Sequence, residues 1–168
     1  MRIRTGSLVA ALALTALAGC AGNPFGGGPG AGTGTGAGIE QGTAAPDTPA
    51  YFRQQVGDRV FFALDQSGLS EAARATLREQ AAWLRENPEF EAVIEGHADE
   101  RGTREYNLAL GAARANSARD YLIAQGVAPE RLRTVSFGKE RPVALCSEER
   151  CYSQNRRAVT VLSAPSIS

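Results

Sequence analysis

Glu95-Gly96-His97-Ala98-Asp99-Glu100-Arg101-Gly102-Thr103 is the stretch on which the fold turns. Phe90–Glu95, just before and into it, is a short run with the apolar residues Phe90, Ala92, Val93 and Ile94 and reads as a strand. Behind it, Arg104–Gln125 reads as a helix with Gly126 just past its end. The polar loop Gly96–Thr103 therefore leaves a strand and enters a helix, a place where binding and catalytic residues gather. Further out, Arg59–Leu64 is a short apolar, aromatic run and reads as the first strand. Ser70 can cap a helix over Glu71–Glu86, on which Ala73, Leu77, Ala81 and Leu84 share one side with Leu69, and Pro88 closes it. Leu132–Phe137 and Arg157–Leu162 read as strands three and four. Strands alternating with helices imply an α/β layer, helices packed on a sheet. The strand order is not given by the sequence.

The helix after the loop has an unusual inner face. At roughly 100° per residue, Leu110, Ala118, Tyr121 and Leu122 form one stripe that also contains Asn107 and Arg114. Glu105, Asn116, Arg119 and Asp120 lie opposite, as a solvated face. A guanidinium on the apolar side has to be paired or reach an opening, because burying it alone is very costly. The residues leave both open: an ion pair with a core carboxylate, or a ligand site. His97, Asp99 and Glu100 could hold a metal or perform acid–base chemistry. The chain has one histidine and no recognisable nucleophile motif, so no catalytic residue, metal site or cofactor is expected.

Outside this region the chain changes character. Its 168 residues are 43% hydrophobic and 21% charged, with equal numbers of basic and acidic side chains, so nothing argues for nucleic acid. No apolar run reaches the roughly 18 residues of a membrane span. Residues 1–19 read as an export signal: Arg2 and Arg4, then the apolar run Leu8–Ala18. Leu17-Ala18-Gly19-Cys20 resembles a bacterial lipobox, which implies lipidation of Cys20. Ala21, where the lipoprotein pattern has Asp for inner-membrane retention, implies the outer membrane. Residues 20–56 read as a flexible linker; Ala21–Ala50 holds 10 of the 19 glycines and 4 of the 8 prolines. A coil from Cys20 to Asp58 averages roughly 34 Å end to end. The folded domain is expected over 57–163 and a disordered tail over 164–168. Cys146 and Cys151 are expected to form a disulfide in an oxidising compartment.

The quoted stretch, together with Glu105-Tyr106-Asn107, Leu110 and Arg114-Ala115, resembles the OmpA-like peptidoglycan-binding motif and, more narrowly, the peptidoglycan-associated lipoprotein (Pal) family. Val135-Ser136-Phe137-Gly138-Lys139-Glu140-Arg141-Pro142 and Asn155-Arg156-Arg157-Ala158-Val159 match further Pal stretches. The resemblance implies a mixed four-stranded sheet with two main helices packed on it. It also implies binding of the meso-diaminopimelate of the peptidoglycan stem peptide: Asp99 matches the residue taking its ammonium and Arg114 the one taking its carboxylate. Asn107 would order the loop or touch the ligand. Gly102 belongs to the same motif. Phe62 and the loop at Asp65 match the end of strand one that lines the groove, with core packing the alternative for Phe62. Asn155 and Arg156 lie near it, Arg156 in the groove or on the surface. TolB, the β-propeller protein of the Tol system, is the implied second partner, with a role in envelope integrity and cell division. A wall-anchoring lipoprotein of a secretion or motility assembly is the alternative. Three departures stand out: Ala63, a position often Asp, and Ala112 and Ala113 in place of a Glu-Arg pair.

Overall fold

The structure is a computed structural model and describes residues 44–163. The export signal, Cys20, most of the linker and residues 164–168 lie outside the described residues. Four strands form one sheet: β1 (Arg59–Phe61), β2 (Glu91–His97), β3 (Leu132–Gly138) and β4 (Arg157–Ser163), in the order β1-β4-β2-β3. β4 runs antiparallel to both β1 and β2, whereas β2 and β3 are parallel. The sheet is mixed, as the family resemblance implied. A parallel pair needs a crossover, and α3 (Arg104–Ala124) supplies it. The other long helix, α2 (Glu71–Glu86), has the expected bounds, and Ser70 caps it by accepting a hydrogen bond from Ala73 N at 3.1 Å.

The expected apolar side of α2 is the side that is buried: Ala73, Leu77, Ala81 and Leu84 all enter the core, with Ile94 of β2 and Leu122 of α3. α3 approaches the sheet more closely than ordinary side chains permit. A Cβ on Gly96 would lie 1.8 Å from the carbonyl oxygen of Gly111, and one on Gly111 would lie 2.9 Å from that of Gly96. Two glycines facing each other let α3 rest on β2 through backbone, and Arg114 follows Gly111 by one turn.

Ordered structure starts earlier than expected. The linker placed over 20–56 ends before residue 49: Pro49–Tyr51 form a helical turn, α1, and Phe52–Gly57 a π-helical turn. The Gly/Pro-rich composition hid an aromatic anchor, because Phe52 is fully buried against Trp83, with ring centroids 5.0 Å apart. Trp83 Nε1 also donates to Pro46 O at 2.7 Å. Two further boundaries move. β1 ends at Phe61 rather than Leu64, since the chain then turns through Asp65, whose φ is +53°. The segment between β3 and β4, in which the sequence showed no element, contains a short helix, α4 (Glu149–Asn155). Its N-cap residue, Glu148, makes no capping hydrogen bond, so the usual start signal was missing.

Candidate functional site

Arg114 projects from α3 and is fully buried, yet no carboxylate pairs with it among the described residues. Its guanidinium is held by backbone instead. Nε donates to Gln66 O at 2.8 Å, Nη1 to His97 O at 2.9 Å and Nη2 to Ala63 O at 3.2 Å. The sequence had left a core ion pair or an opening; carbonyl oxygens take the place of the ion pair. The early end of β1 now has its reason: leaving the sheet lets residues 63–66 turn two carbonyls onto Arg114. Its contact with Ala63 is main-chain, so a side chain other than Asp there leaves this bond intact. Phe62 packs in the core, with its ring 5.3 Å from the Arg114 guanidinium. Burial lowers the Arg114 pKa and the nearby charge of Asp99 opposes this, leaving it at about 10.

Asp99 sits at the other end of the same segment, two residues beyond His97. Its Oδ1 accepts from Arg101 N at 3.2 Å, and its Oδ2 accepts from Arg101 Nη2 at 2.6 Å and from Arg156 Nη1 at 3.2 Å. Burial raises its pKa, but the hydrogen bonds from Arg101 and Arg156 outweigh that and hold the carboxyl below its ordinary range. Arg156 is buried, not on the surface. It also donates to Phe62 O at 3.1 Å and to Glu149 of α4. Asn155 is buried beside it and organises the neighbouring loop, with Oδ1 accepting from Val143 N at 2.9 Å and Ala144 N at 3.2 Å.

The turn between Asp99 and α3 is held from below. Asn107 donates from Nδ2 to Arg101 O at 2.7 Å, which is loop ordering. Gly102 has φ +87°, a conformation glycine adopts freely, and Thr103 caps α3 by accepting from Tyr106 N at 3.2 Å. The Asp65 side chain is exposed, and Tyr106 reaches toward it with its hydroxyl 3.4 Å from Oδ1. Cys146 and Cys151 are joined, with Cα atoms 5.7 Å apart, so the bridge ties α4 to the preceding loop.

The residues singled out from the sequence thus occupy one neighbourhood built from four segments: the end of β1, the β2–α3 loop, α3, and the α4–β4 junction. Three residues of that neighbourhood had been given no role. Arg101 lies over the Tyr152 ring, 4.3 Å from its centroid, and 3.7 Å from Glu149 Oε2. Arg101 was visible inside the motif itself. Glu149 and Tyr152 come from a helix with no sequence signal at its start. Chemically, the site offers a buried cation beside an ionised acid, which suits a ligand carrying both charges. No cluster of metal-ligating residues is found among the described residues.

The family model described as the OmpA family matches residues 61–156. The peptidoglycan-associated lipoprotein of Mesorhizobium japonicum is 49% identical over 157 residues, covering 93% of this chain and 90% of that protein. Its namesake from Rhizobium meliloti is 52% identical over 160 residues, covering 92% and 86%. Among solved structures, the peptidoglycan-associated lipoprotein from Burkholderia pseudomallei has a TM-score of 0.66 at 37% identity and covers 71% of this chain and 100% of that one. The C-terminal domain of Helicobacter pylori MotB, at 20% identity and a TM-score of 0.60, covers 64% of this chain and 85% of that one and shares the fold.

Proposed function

Since the chain belongs to the OmpA family and, within it, to the peptidoglycan-associated lipoproteins, we propose that it anchors the outer membrane to peptidoglycan by gripping the diaminopimelate of the stem peptide. The family is one of structural lipoproteins, not enzymes. In this reading Cys20 carries the lipid, the linker spans the gap, and the domain works in the periplasm. TolB is its second partner within the Tol-Pal system, and exchange between wall and TolB serves envelope integrity and cell division.

The observation that carries the reading is Arg114, a buried guanidinium beside an ionised Asp99. A guanidinium has five N–H donors. Three are accounted for by the carbonyls of Ala63, Gln66 and His97. The remaining two suit a carboxylate, while Asp99 suits an ammonium. The side-chain end of diaminopimelate carries both groups on one carbon. Charge-assisted bonds of this kind contribute about 1.5–3 kcal/mol each. A lysine-type stem peptide has the ammonium only and would leave Arg114 without its partner.

The test is retention of the full chain on purified sacculi. Asp99→Asn removes the charge and keeps the shape, and is expected to weaken binding to diaminopimelate-type sacculi about tenfold or more. Wild-type protein should prefer those sacculi to lysine-type ones. Unchanged retention by a folded Asp99→Asn protein would remove Asp99 from the site.

A further inference from the structure

Asp99, if it is the acceptor for a ligand ammonium, is already occupied. We propose that Arg101 is an internal stand-in for that ammonium: it sits on Asp99, and the ligand has to displace it. The inference rests on the reading of Asp99 given above and adds a regulating residue to the same site.

The partners of Asp99 differ in their freedom to move. Arg156 cannot leave: its side chain is 6% exposed, and its guanidinium is fixed to Phe62 O, Asp99 and Glu149 together. Arg101 can. Its side chain is 40% exposed, against 8% for Asp99, and its shortest side-chain bond is the one to Asp99 Oδ2 at 2.6 Å. The cation therefore covers the carboxylate from the solvent side, where a ligand ammonium would arrive. A place for it to go is also present. Glu149 Oε2 lies 3.7 Å from Arg101 Nη2, and the Tyr152 ring lies under the guanidinium at 4.3 Å. Swinging toward Glu149 keeps the cation over an aromatic face and beside a carboxylate, so displacement exchanges one ion pair for another.

Two consequences follow from the chemistry. Binding is weakened by what the Asp99 pair is worth beyond the Glu149 pair that replaces it, a factor of roughly two to five. The plug competes only with an ammonium and does not touch Arg114, whose donors serve the carboxylate. Discrimination between diaminopimelate and lysine is therefore independent of Arg101.

The experiment titrates the full chain, in detergent, with a soluble muramyl tripeptide carrying diaminopimelate and with its lysine counterpart. Arg101→Gln is expected to tighten both by roughly two- to fivefold and leave their ratio unchanged. Arg101→Lys restores a cation in front of Asp99 and is expected to bind as wild type does. Weaker or unchanged binding by a folded Arg101→Gln protein overturns the proposal, as does a changed ratio. Asp99→Asn separates the two levels. If it binds like wild type, the site reading itself fails. If it loses binding while Arg101→Gln does not gain, only the plug fails.

Discussion

Two arginines in this protein are held in the same way but in different electrostatic surroundings. At the corner between α2 and β2, Arg131 donates to Phe90 O at 3.0 Å, Leu84 O at 2.9 Å and Asn87 O at 2.9 Å. On α3, Arg114 donates to the carbonyls of Gln66, His97 and Ala63. Each guanidinium ties separate segments together through their main-chain oxygens. Arg131 closes a corner near the surface, with no acid in its clamp. Arg114 is fully buried beside Asp99 and Arg156. A carbonyl clamp stitches a fold wherever it occurs; it becomes a binding device only where the cation is also set against an opposing charge. Under the proposed function the surplus N–H donors of Arg114 take the carboxylate of a zwitterion whose other end Asp99 anchors.

Removing the clamps separates these roles. Arg114→Ala strands three carbonyls in the interior and is expected to destabilise the fold by about 3 kcal/mol or more. Binding to diaminopimelate-type sacculi should fall by about a hundredfold, measured well below the melting temperature. Loss of stability with full binding would reduce Arg114 to the status of Arg131.

The Arg114 side also holds a buried histidine, and the Arg131 corner does not. His97 accepts from Arg114 through its carbonyl, while its ring is buried and stacked 5.6 Å from Phe137. Burial, then the charges of Arg157 and Arg141, push its pKa down from 6.5 to about 4. The unfolded chain therefore binds this proton first as the medium is acidified. The contribution of neutral His97 is complete above about pH 6.5 and is lost progressively as the pH falls toward 4. Its size is on the order of 3 kcal/mol. Urea unfolding across this range should show that slope in wild type and lose it in His97→Phe; an equal slope in both would assign the effect to other groups.

Arg131→Ala gives the smallest change. It should destabilise by about 1–2 kcal/mol, because water reaches part of the corner and replaces some bonds. Retention on sacculi should not change in the folded protein. A binding loss there would mean that the two clamps are coupled through β2, since Phe90 and His97 flank or end that strand.

Much of the candidate site was legible because its signals are side chains in a fixed local order. Asn107 and Arg114 could be named from the helix period, and Asp99 and Gly102 from resemblance to the family motif. Phe62, Asp65 and Arg156 came from resemblance over distant stretches. Arg101 was in view but assigned no partner, because its contact with Asp99 depends on the local backbone path, which no residue type marks. Glu149 and Tyr152 were missed because α4 lacks a capping side chain, and its position is set by the tie to Arg156 and by the Cys146–Cys151 bridge.

By itself, the sequence determined the four strands and the two long helices, that Ser70 starts the first of those helices, and that an arginine would face inward. These follow from local rules: period, capping and the conformational freedom of glycine. The tertiary structure alone decided the order β1-β4-β2-β3, the glycine-to-glycine seat of α3 on β2, and the acceptors of Arg114. Those acceptors lie 48, 17 and 51 residues away and are main-chain oxygens. Every residue carries such an oxygen, so no residue type marks the ones that will be used; only the path of the folded backbone selects them.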